Sequence, residues 1–519
     1  MPHAPFLPRA APLLGVLILA GAGPTAGPRA DTTFTERFVS SDSPQPAGVV
    51  VADMDADGDA DVVAAEYTGN TVAWYQNSGA TPPAWTKRVI DAGAAGPITV
   101  AVGDVDRDGD LDVFSANFND EGIAWYENRG VTGSWTKRVI SGFWTGPWGV
   151  AAADVDGDGD IDAIGGLTNS ICGPPLVCSG VEWYDNDGAT PPGFTTRPVS
   201  PGLLGASSVQ AADVEGDGDL DILSVDTAGD RIVWYQNGGQ HPPVWTERLV
   251  TLGVDDPWAV FAADLDRDGD LDVLSASAED DRVTWHESDG AALPAFSSHT
   301  LSSVRDGAIS VQAADLDGDG DPDVIAGSWW DSTLAWYESD GGADPVFVER
   351  VIATCGGPEG IAAGRVDADA DVDVLCAANP GWKIHLFDND ADFADADGDT
   401  VRDALDCAPV NPAAFAVPAE VRDLRFESST ELRWTPAGPG AGPGTAHDVV
   451  RGELQTPGPG EAAAQSCLGS GIAGTVLVDG SLPAPGRAFS YMVRGSNICG
   501  AGSYGTGSSG TPRASDACL

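Results

Sequence analysis

The sequence predicts an all-β protein: a seven-bladed β-propeller followed by a small β-sandwich. Three observations carry this expectation. A nine-residue acidic string recurs seven times, about every fifty residues. An aromatic pair and a third, aromatic-led segment recur in step with it. Between the markers lie short alternating runs rich in Val, Ile and aromatics, bounded by Gly, Pro, Asn and Asp, with no competing helical period.

The first thirty residues stand outside that pattern. Arg9 precedes a short apolar run within Ala11 to Gly23, ending in the small-x-small site Ala20-Gly21-Ala22. This reads as a secretory signal peptide over residues 1–30, too short to cross a bilayer. No later run of eighteen apolar residues exists, and no Cys precedes Cys172. The expectation is a secreted or cell-surface-associated chain with no lipid anchor and no membrane span, its propeller monomeric. Composition narrows the partners. Asp and Glu number 79 against 26 Lys and Arg, a net charge of −53, which excludes a phosphate-neutralising nucleic-acid surface and a basic membrane patch. Disorder is excluded too, because 42% of residues are hydrophobic and 16 are Trp.

Residues 31–390 hold the repeat. The acidic strings begin at Asp53, Asp104, Asp154, Asp213, Asp264, Asp315 and Arg365, spaced 51, 50, 59, 51, 51 and 50 apart. The aromatic pair is Trp74-Tyr75, Trp125-Tyr126, Trp183-Tyr184, Trp234-Tyr235, Trp285-His286 and Trp336-Tyr337, with Leu386-Phe387 in the seventh copy. Four β-like runs fit each unit; in the second they fall near Ile98–Val102, Asp112–Ser115, Gly122–Tyr126 and Trp135–Ile140. Four strands per fifty-residue unit indicates a propeller, with a stacked solenoid as the alternative. The third marker supplies the outermost strand and follows units one to six, for example WTKRVI at Trp85. The seventh unit lacks it, and a spare copy, Phe34–Val39, precedes the first. The N-terminal strand should therefore complete the last blade and remove an open edge.

The string D-x-D-x-D-G-D-x-D has metal-ligand spacing. Acids at positions 1, 3 and 5 converge when the chain loops round a point, Gly at position 6 permits the turn, position 7 normally offers its backbone carbonyl, and position 9 closes the shell. Hard oxygens in that number favour Ca²⁺ over Mg²⁺ or Zn²⁺. The candidate residues are Asp53, Asp55, Asp57, Asp59 and Asp61; Asp104, Asp106, Asp108, Asp110 and Asp112; Asp154, Asp156, Asp158, Asp160 and Asp162; Asp213, Glu215, Asp217, Asp219 and Asp221; Asp264, Asp266, Asp268, Asp270 and Asp272; and Asp315, Asp317, Asp319, Asp321 and Asp323. The seven loops hold 34 of the 79 acids, so much of the negative charge is placed by the repeat. In the seventh, Arg365 replaces the first acid and Ala370 the turn glycine. No Ca²⁺ is expected there, which leaves either the Arg365 guanidinium or solvent to neutralise Asp367, Asp369 and Asp373. About six propeller calcium sites follow.

Loop and Trp-Tyr markers recurring together resemble the FG-GAP or VCBS repeats, also found in integrin α-subunits. The resemblance covers about residues 31–390. It implies that Asp53, Asp55, Asp57 and Asp61, with the matching positions of the next five units, are ligands to structural ions holding the first two strands of each blade.

Strand alternation places the acidic loops on one face. The other face collects residues outside the repeat: Trp144, Trp148, Trp258, Trp329, Trp330, Trp382 and the stretch from Asn117 to Asp120. Trp148 and Trp258 are expected to pack between blades. Trp329, Trp330, Trp382, Trp144, Asn117 and Asn119 are the candidates for a protein or glycan ligand. No catalytic constellation is legible among six scattered His. The reading is an exported calcium-binding module for binding or adhesion and not an enzyme. A lectin-like propeller is the second possibility and a secreted polysaccharide lyase or hydrolase the third.

Residues 391–417 carry Asp395, Asp397, Asp399, Asp403 and Asp406 before Cys407, resembling a thrombospondin type-3 repeat, which wraps further Ca²⁺. Residues 418–519 resemble a fibronectin type-III sandwich around Trp434 and Tyr491. Eight Cys in an exported chain suggest disulfides. Candidate pairs are Cys172 with Cys178, Cys355 with Cys376, and Cys467 with Cys499; Cys407 and Cys518 remain by elimination.

Overall fold

The computed structural model describes residues 32–119, 122–130, 135–141, 146–168, 179–201, 203, 205–367, 369, 371–389 and, further on, the backbone of short strands between 422 and 501. The chain divides into two compact units, Met1–Ala391 and Asp392–Leu519.

In the first unit, β1 (Phe34–Ser40) precedes blade 1, formed by β2 (Pro46–Ala52), β3 (Asp61–Glu66), β4 (Thr71–Gln76) and β5 (Thr86–Asp91). Blade 2 is β6 (Pro97–Gly103), β7 (Asp112–Asn117), β8 (Gly122–Glu127) and β9 (Thr136–Val139). Blade 3 is β10 (Pro147–Ala153), β11 (Asp162–Leu167), β12 (Ser179–Asn186) and β13 (Phe194–Pro201). Blade 4 is β14 (Val209–Ala212), β15 (Asp221–Asp226), β16 (Arg231–Gln236) and β17 (Thr246–Leu252). Blade 5 is β18 (Pro257–Ala263), β19 (Asp272–Ser277), β20 (Arg282–Ser288) and β21 (Phe296–Ser302). Blade 6 is β22 (Ala308–Ala314), β23 (Asp323–Ser328), β24 (Thr333–Glu338) and β25 (Val348–Thr354). Blade 7 contains β26 (Pro358–Gly364), β27 (Asp373–Ala378) and β28 (Lys383–Asn389). Its sheet order is β1-β28-β27-β26, so the N-terminal strand closes the ring as the marker phase predicted.

Period-two alternation explains why the markers travel together. On β4, Trp74 packs into the cluster between blades 1 and 2, while its neighbour Tyr75 packs into the cluster between blades 7 and 1. One dipeptide therefore serves two interfaces. The aromatic that leads the third marker fills the interface behind it: Trp85 joins the Tyr75 cluster, and Phe34 joins the one between blades 6 and 7. Further along the marker, Arg88 lies over Trp74 with its guanidinium carbon 5.3 Å from the ring centroid, and Arg138, Arg197 and Arg350 repeat this over Trp125, Trp183 and Trp336. Innermost strands approach so closely that a Cβ on Gly360 would stand 2.3 Å from the carbonyl oxygen of Ala47. Cys355 and Cys376 are disulfide-bonded, buried in the cluster between blades 6 and 7.

The second unit contains β29 (Arg422–Phe426), β30 (Glu431–Thr435), β31 (Ala446–Leu454), β32 (Gln465–Ile472), β33 (Val476–Val478), β34 (Ala488–Asn497) and β35 (Gly500–Ala501). They pair into sheets of order β29-β30-β33 and β32-β31-β34-β35. Among the described residues no helix is long and apolar enough to cross a membrane. Residues 1–30, the five linker aspartates Asp395 to Asp406, Trp144, Cys172, Cys178, Cys407, Cys499 and Cys518 lie outside the described residues, as does the side chain of Cys467.

Candidate functional site

Each acidic loop joins the first two strands of its blade, and its positions divide by role. In blade 1, the position-1 carboxylate of Asp53 accepts the backbone N–H groups of Asp57 at 3.1 Å and Gly58 at 3.0 Å, folding the loop on itself. The bond from the turn glycine recurs at Asp104, Asp154, Asp213, Asp264 and Asp315. Those glycines have φ between +89° and +100°, which a side chain rarely adopts. At position 3, one oxygen of Asp55 accepts the side-chain amide of Gln76, and the other, Oδ1, is buried with no hydrogen-bond partner. Buried oxygens at Asp104, Asp154, Glu215 and Asp264 are likewise without one.

These oxygens converge. One from each of Asp53, Asp55 and Asp57 lies within 4.8 Å of the others, as in Asp104–Asp106–Asp108 and Asp264–Asp266–Asp268. Asp154, Asp156 and Asp162 do the same, and so do Asp213, Glu215 and Asp221, so the longer arm of Glu215 keeps its place in the cluster. Burial, and then the charge of Asp57, raises Asp55 above the usual carboxylate range; burial and Asp108 do the same to Asp106. Buried, crowded carboxylates with unpartnered oxygens suit a hard divalent cation, which would reverse the repulsion behind those shifts. The donor set therefore fits Ca²⁺.

Position 9 does more than close a shell. Asp61 accepts the N–H of Met54 (3.1 Å) through Oδ2 and that of Asn77 (2.7 Å) through Oδ1, tying its own loop to the β4–β5 loop. The pair of bonds recurs in all seven blades, including Asp373 in the divergent one. Burial dominates and pushes Asp61 up to about 6 and Asp112, Asp162 and Asp272 to about 7. Position-7 side chains point elsewhere. Asp59 lies against Gly79 (φ +63°), where a Cβ would come within 2.0 Å of its oxygen, and Asp270 lies similarly against Gly290. None of the five groups above includes a position-7 carboxylate.

Two supporting layers escaped the sequence reading. The residue after Gln76 is Asn77, whose side-chain amide donates to Ala60 in its own blade (2.9 Å) and to Val366 in the preceding blade (2.6 Å). Asn128, Asn186, Asn237 and Asn389 repeat this reach to the preceding blade; Ser288 and Ser339 replace it in blades 5 and 6. Behind position 3, Arg88 donates to Gln76 and so orients it toward Asp55, with Arg248, Gln236 and Glu215 forming the same relay in blade 4. The recurrent Asn two residues after Trp-Tyr, and the recurrent Arg in the third marker, were the available signals.

In blade 7 one of the two alternatives, neutralisation by Arg365, finds no support. Arg365 is exposed, and among the described residues no ion pair joins it to Asp367, Asp369 or Asp373. Those carboxylates meet one another instead: Asp369 is pushed up by burial and by the hydrogen bond it shares with Asp367, and Asp373 rises to about 7, chiefly by burial. The short carboxylate that position 1 carries in the other six loops accepts the turn glycine's N–H, a bond a guanidinium, which has no acceptor, cannot make.

On the opposite face, Trp148 and Trp258 are buried between blades, as expected, but not only between adjacent ones. They belong to blades 3 and 5, yet their ring centroids are 4.9 Å apart. With Ala47, Ile98 and Ile309 they form a cluster drawn from five blades, which places it at the ring centre. Tyr67, Phe118 and the half-buried Trp329 pack against it. Trp330 and Trp382 remain 41% and 51% exposed. Asn119 is exposed, and bonds Tyr67. Asn117 is fully buried and accepts the Ser115 hydroxyl at 3.0 Å, so it lies inside blade 2 and not on the face. Glu359, also unnoticed in the sequence, is 2% exposed in the register position that Trp148 and Trp258 hold in their blades, and accepts the Asn379 amide at 3.0 Å.

Three of the described histidines are engaged structurally. His286, buried in place of the usual Tyr, sits between Ser275 (2.9 Å) and Ser298 (2.8 Å), while His299 pairs with Glu287 and His385 with Glu36.

Fold and loops together define a closed β-propeller built from acidic-loop repeats. The model of the FG-GAP-like repeat matches residues 53–115, 104–164, 213–275, 264–326 and 315–376, more than half of the chain, and the chain belongs to that family. No curated protein matches the sequence. Solved structures with a similar fold include BBS1N in complex with ARL6DN, at 13% identity over 70% of this chain and 99% of that one, TM-score 0.45. YCF48 from Cyanidioschyzon merolae is similar at 9% identity over 68% of this chain and 98% of that one, TM-score 0.43. The rhamnogalacturonan lyase YesW is similar at 16% identity over 73% and 75%, TM-score 0.38. At these values none indicates what this chain binds or catalyses.

Proposed function

We propose that the chain is an exported, calcium-stabilised propeller that serves as a binding or adhesion module, with its ligand on the face opposite the acidic loops. The observation that carries the binding role is the pair of exposed indoles, Trp330 and Trp382, on adjacent blades beside half-buried Trp329. The five converging carboxylate groups support calcium, each ion supplying charge neutralisation that holds a blade's first two strands together. The formed Cys355–Cys376 bridge suits an oxidising compartment. Residues 391–417 would add a calcium-binding linker, and 418–519 a fibronectin type-III-like sandwich.

A neutral glycan is the second reading of the ligand, favoured by indoles with the exposed Asn119 carboxamide on the same face and disfavoured for acidic glycans by the net charge of −53. Glycan-array and cell-surface pull-down binding by the intact chain, and by Trp330→Ala and Trp382→Ala, tests this. Loss of binding with unchanged melting supports the face; retained binding in both variants removes it. Calcium is tested separately by melting with chelator and with Ca²⁺, where equal midpoints refute a structural metal.

A further inference from the structure

Position 4 of the acidic loops has left-handed backbone wherever it is described in blades 1 to 6: Ala56 (φ +56°), Arg107 (+59°), Gly157 (+71°), Gly216 (+72°), Arg267 (+60°) and Gly318 (+65°). Glycine adopts this conformation freely and longer side chains at a cost. Two blades nevertheless carry arginine, and both arginines do the same thing. Arg107, in the blade 2 loop, donates from Nε to the Gly159 carbonyl at 3.0 Å and pairs through Nη2 with Asp160 at 2.6 Å. Arg267, in the blade 5 loop, pairs with Asp321, donates to the Gly320 carbonyl at 3.4 Å, and reaches the Gly341 carbonyl at 3.0 Å. Gly159-Asp160 and Gly320-Asp321 are positions 6 and 7 of the next blade's loop. Ala56, Gly157, Gly216 and Gly318 have no side chain able to make such a bridge.

We infer that Arg107 and Arg267 are built-in counter-cations that couple the loops in two pairs, blade 2 to blade 3 and blade 5 to blade 6. Each guanidinium brings fixed positive charge to a receiving loop of five carboxylates and grips its turn through backbone carbonyls. Loops 3 and 6 thus hold their shape when calcium is scarce, whereas loops 1, 2, 4 and 5 depend on the ion. By the same electrostatics, a resident cation beside a site opposes the arrival of a second one, so loops 3 and 6 fill last. This inference rests on the calcium reading above.

The test uses the full chain and its Arg107→Ala/Arg267→Ala variant; Ala56 shows that alanine fits the position. Melting is measured in chelator and in saturating CaCl₂, and Ca²⁺ uptake by calorimetry. Expected are a lower chelator midpoint, by a few degrees, with an unchanged midpoint in calcium. Two of the weakest calcium steps should tighten, on the order of five- to tenfold from the Coulomb term in near-aqueous dielectric. Arg107→Lys/Arg267→Lys keeps the charge without the fork and should retain most of the affinity pattern. Calcium uptake with superimposable isotherms and equal chelator midpoints for wild type and the alanine variant overturns the assignment. Absence of any calcium uptake by the wild type overturns the calcium reading itself, and this inference with it.

Discussion

Replacing His286 by tyrosine should remove an acid-sensitive element from blade 5 and from nowhere else. His286 is 1% exposed and is bracketed by the Ser275 and Ser298 hydroxyls. Burial, assisted by the charge of His299, lowers its pKa from 6.5 to about 4. The folded state therefore holds the ring neutral. The sign follows: its contribution is complete above pH 6.5 and is lost as pH falls through the unfolded value toward the folded one. A gap of two to three pH units corresponds to about 3 kcal/mol at full extent, of which about 2 kcal/mol is lost by pH 5. Tyrosine is the templated replacement, because Tyr126 in blade 2 meets the Ser115 hydroxyl at 3.3 Å, and Ser115 is the register equivalent of Ser275. Urea unfolding of wild type and His286→Tyr in saturating CaCl₂, at pH 7.5 and 5.0, gives the difference directly. The variant should gain about 2 kcal/mol on the wild type as pH falls. A wild-type-to-variant gap that is equal at both pH values would refute a buried neutral imidazole.

Three more outcomes are expected. Asn237→Ala removes the amide bonds to Val155 and Leu220, both 3.1 Å, and leaves buried carbonyls unpaired; a loss of about 1–3 kcal/mol in urea unfolding is expected, with Asn237→Ser milder because Ser288 and Ser339 already serve in that place. Deleting β1 strips blade 7 of its outer strand, of Phe34 in the interface, and of the Arg37–Asp388 and Glu36–His385 pairs, so size-exclusion chromatography should show association through the exposed β28 edge. Cys355→Ser/Cys376→Ser, or reductant, opens a link between residues 21 apart and should cost about 3 kcal/mol while leaving the ring folded; an unchanged midpoint would show the bridge to be passive.

Much of this architecture is written locally. Blade number follows from the repeat, ring closure from one displaced copy of the third marker, and the loop positions from spacing along a few residues. Strand alternation then fixes that Trp74 and Tyr75 serve opposite interfaces. These features need only the chain's own period, which is why the sequence by itself determines a closed ring of seven blades with acidic loops on one face.

Which individual partners meet across blades was decided by tertiary structure. The ring brings Trp148 against Trp258 across its centre, Asn77 against Val366, and Arg107 against the loop of the next blade. Arg365 shows the converse: by composition it suited the acids of its own loop, yet it is exposed and, among the described residues, joined to none of them by an ion pair. The acidic loop encodes which atoms can surround an ion. Which neighbour's cation already stands beside those atoms depends on the angle between blades, and that angle is set by side-chain packing in the interfaces, spread over residues about fifty positions apart, which no short stretch of the sequence carries.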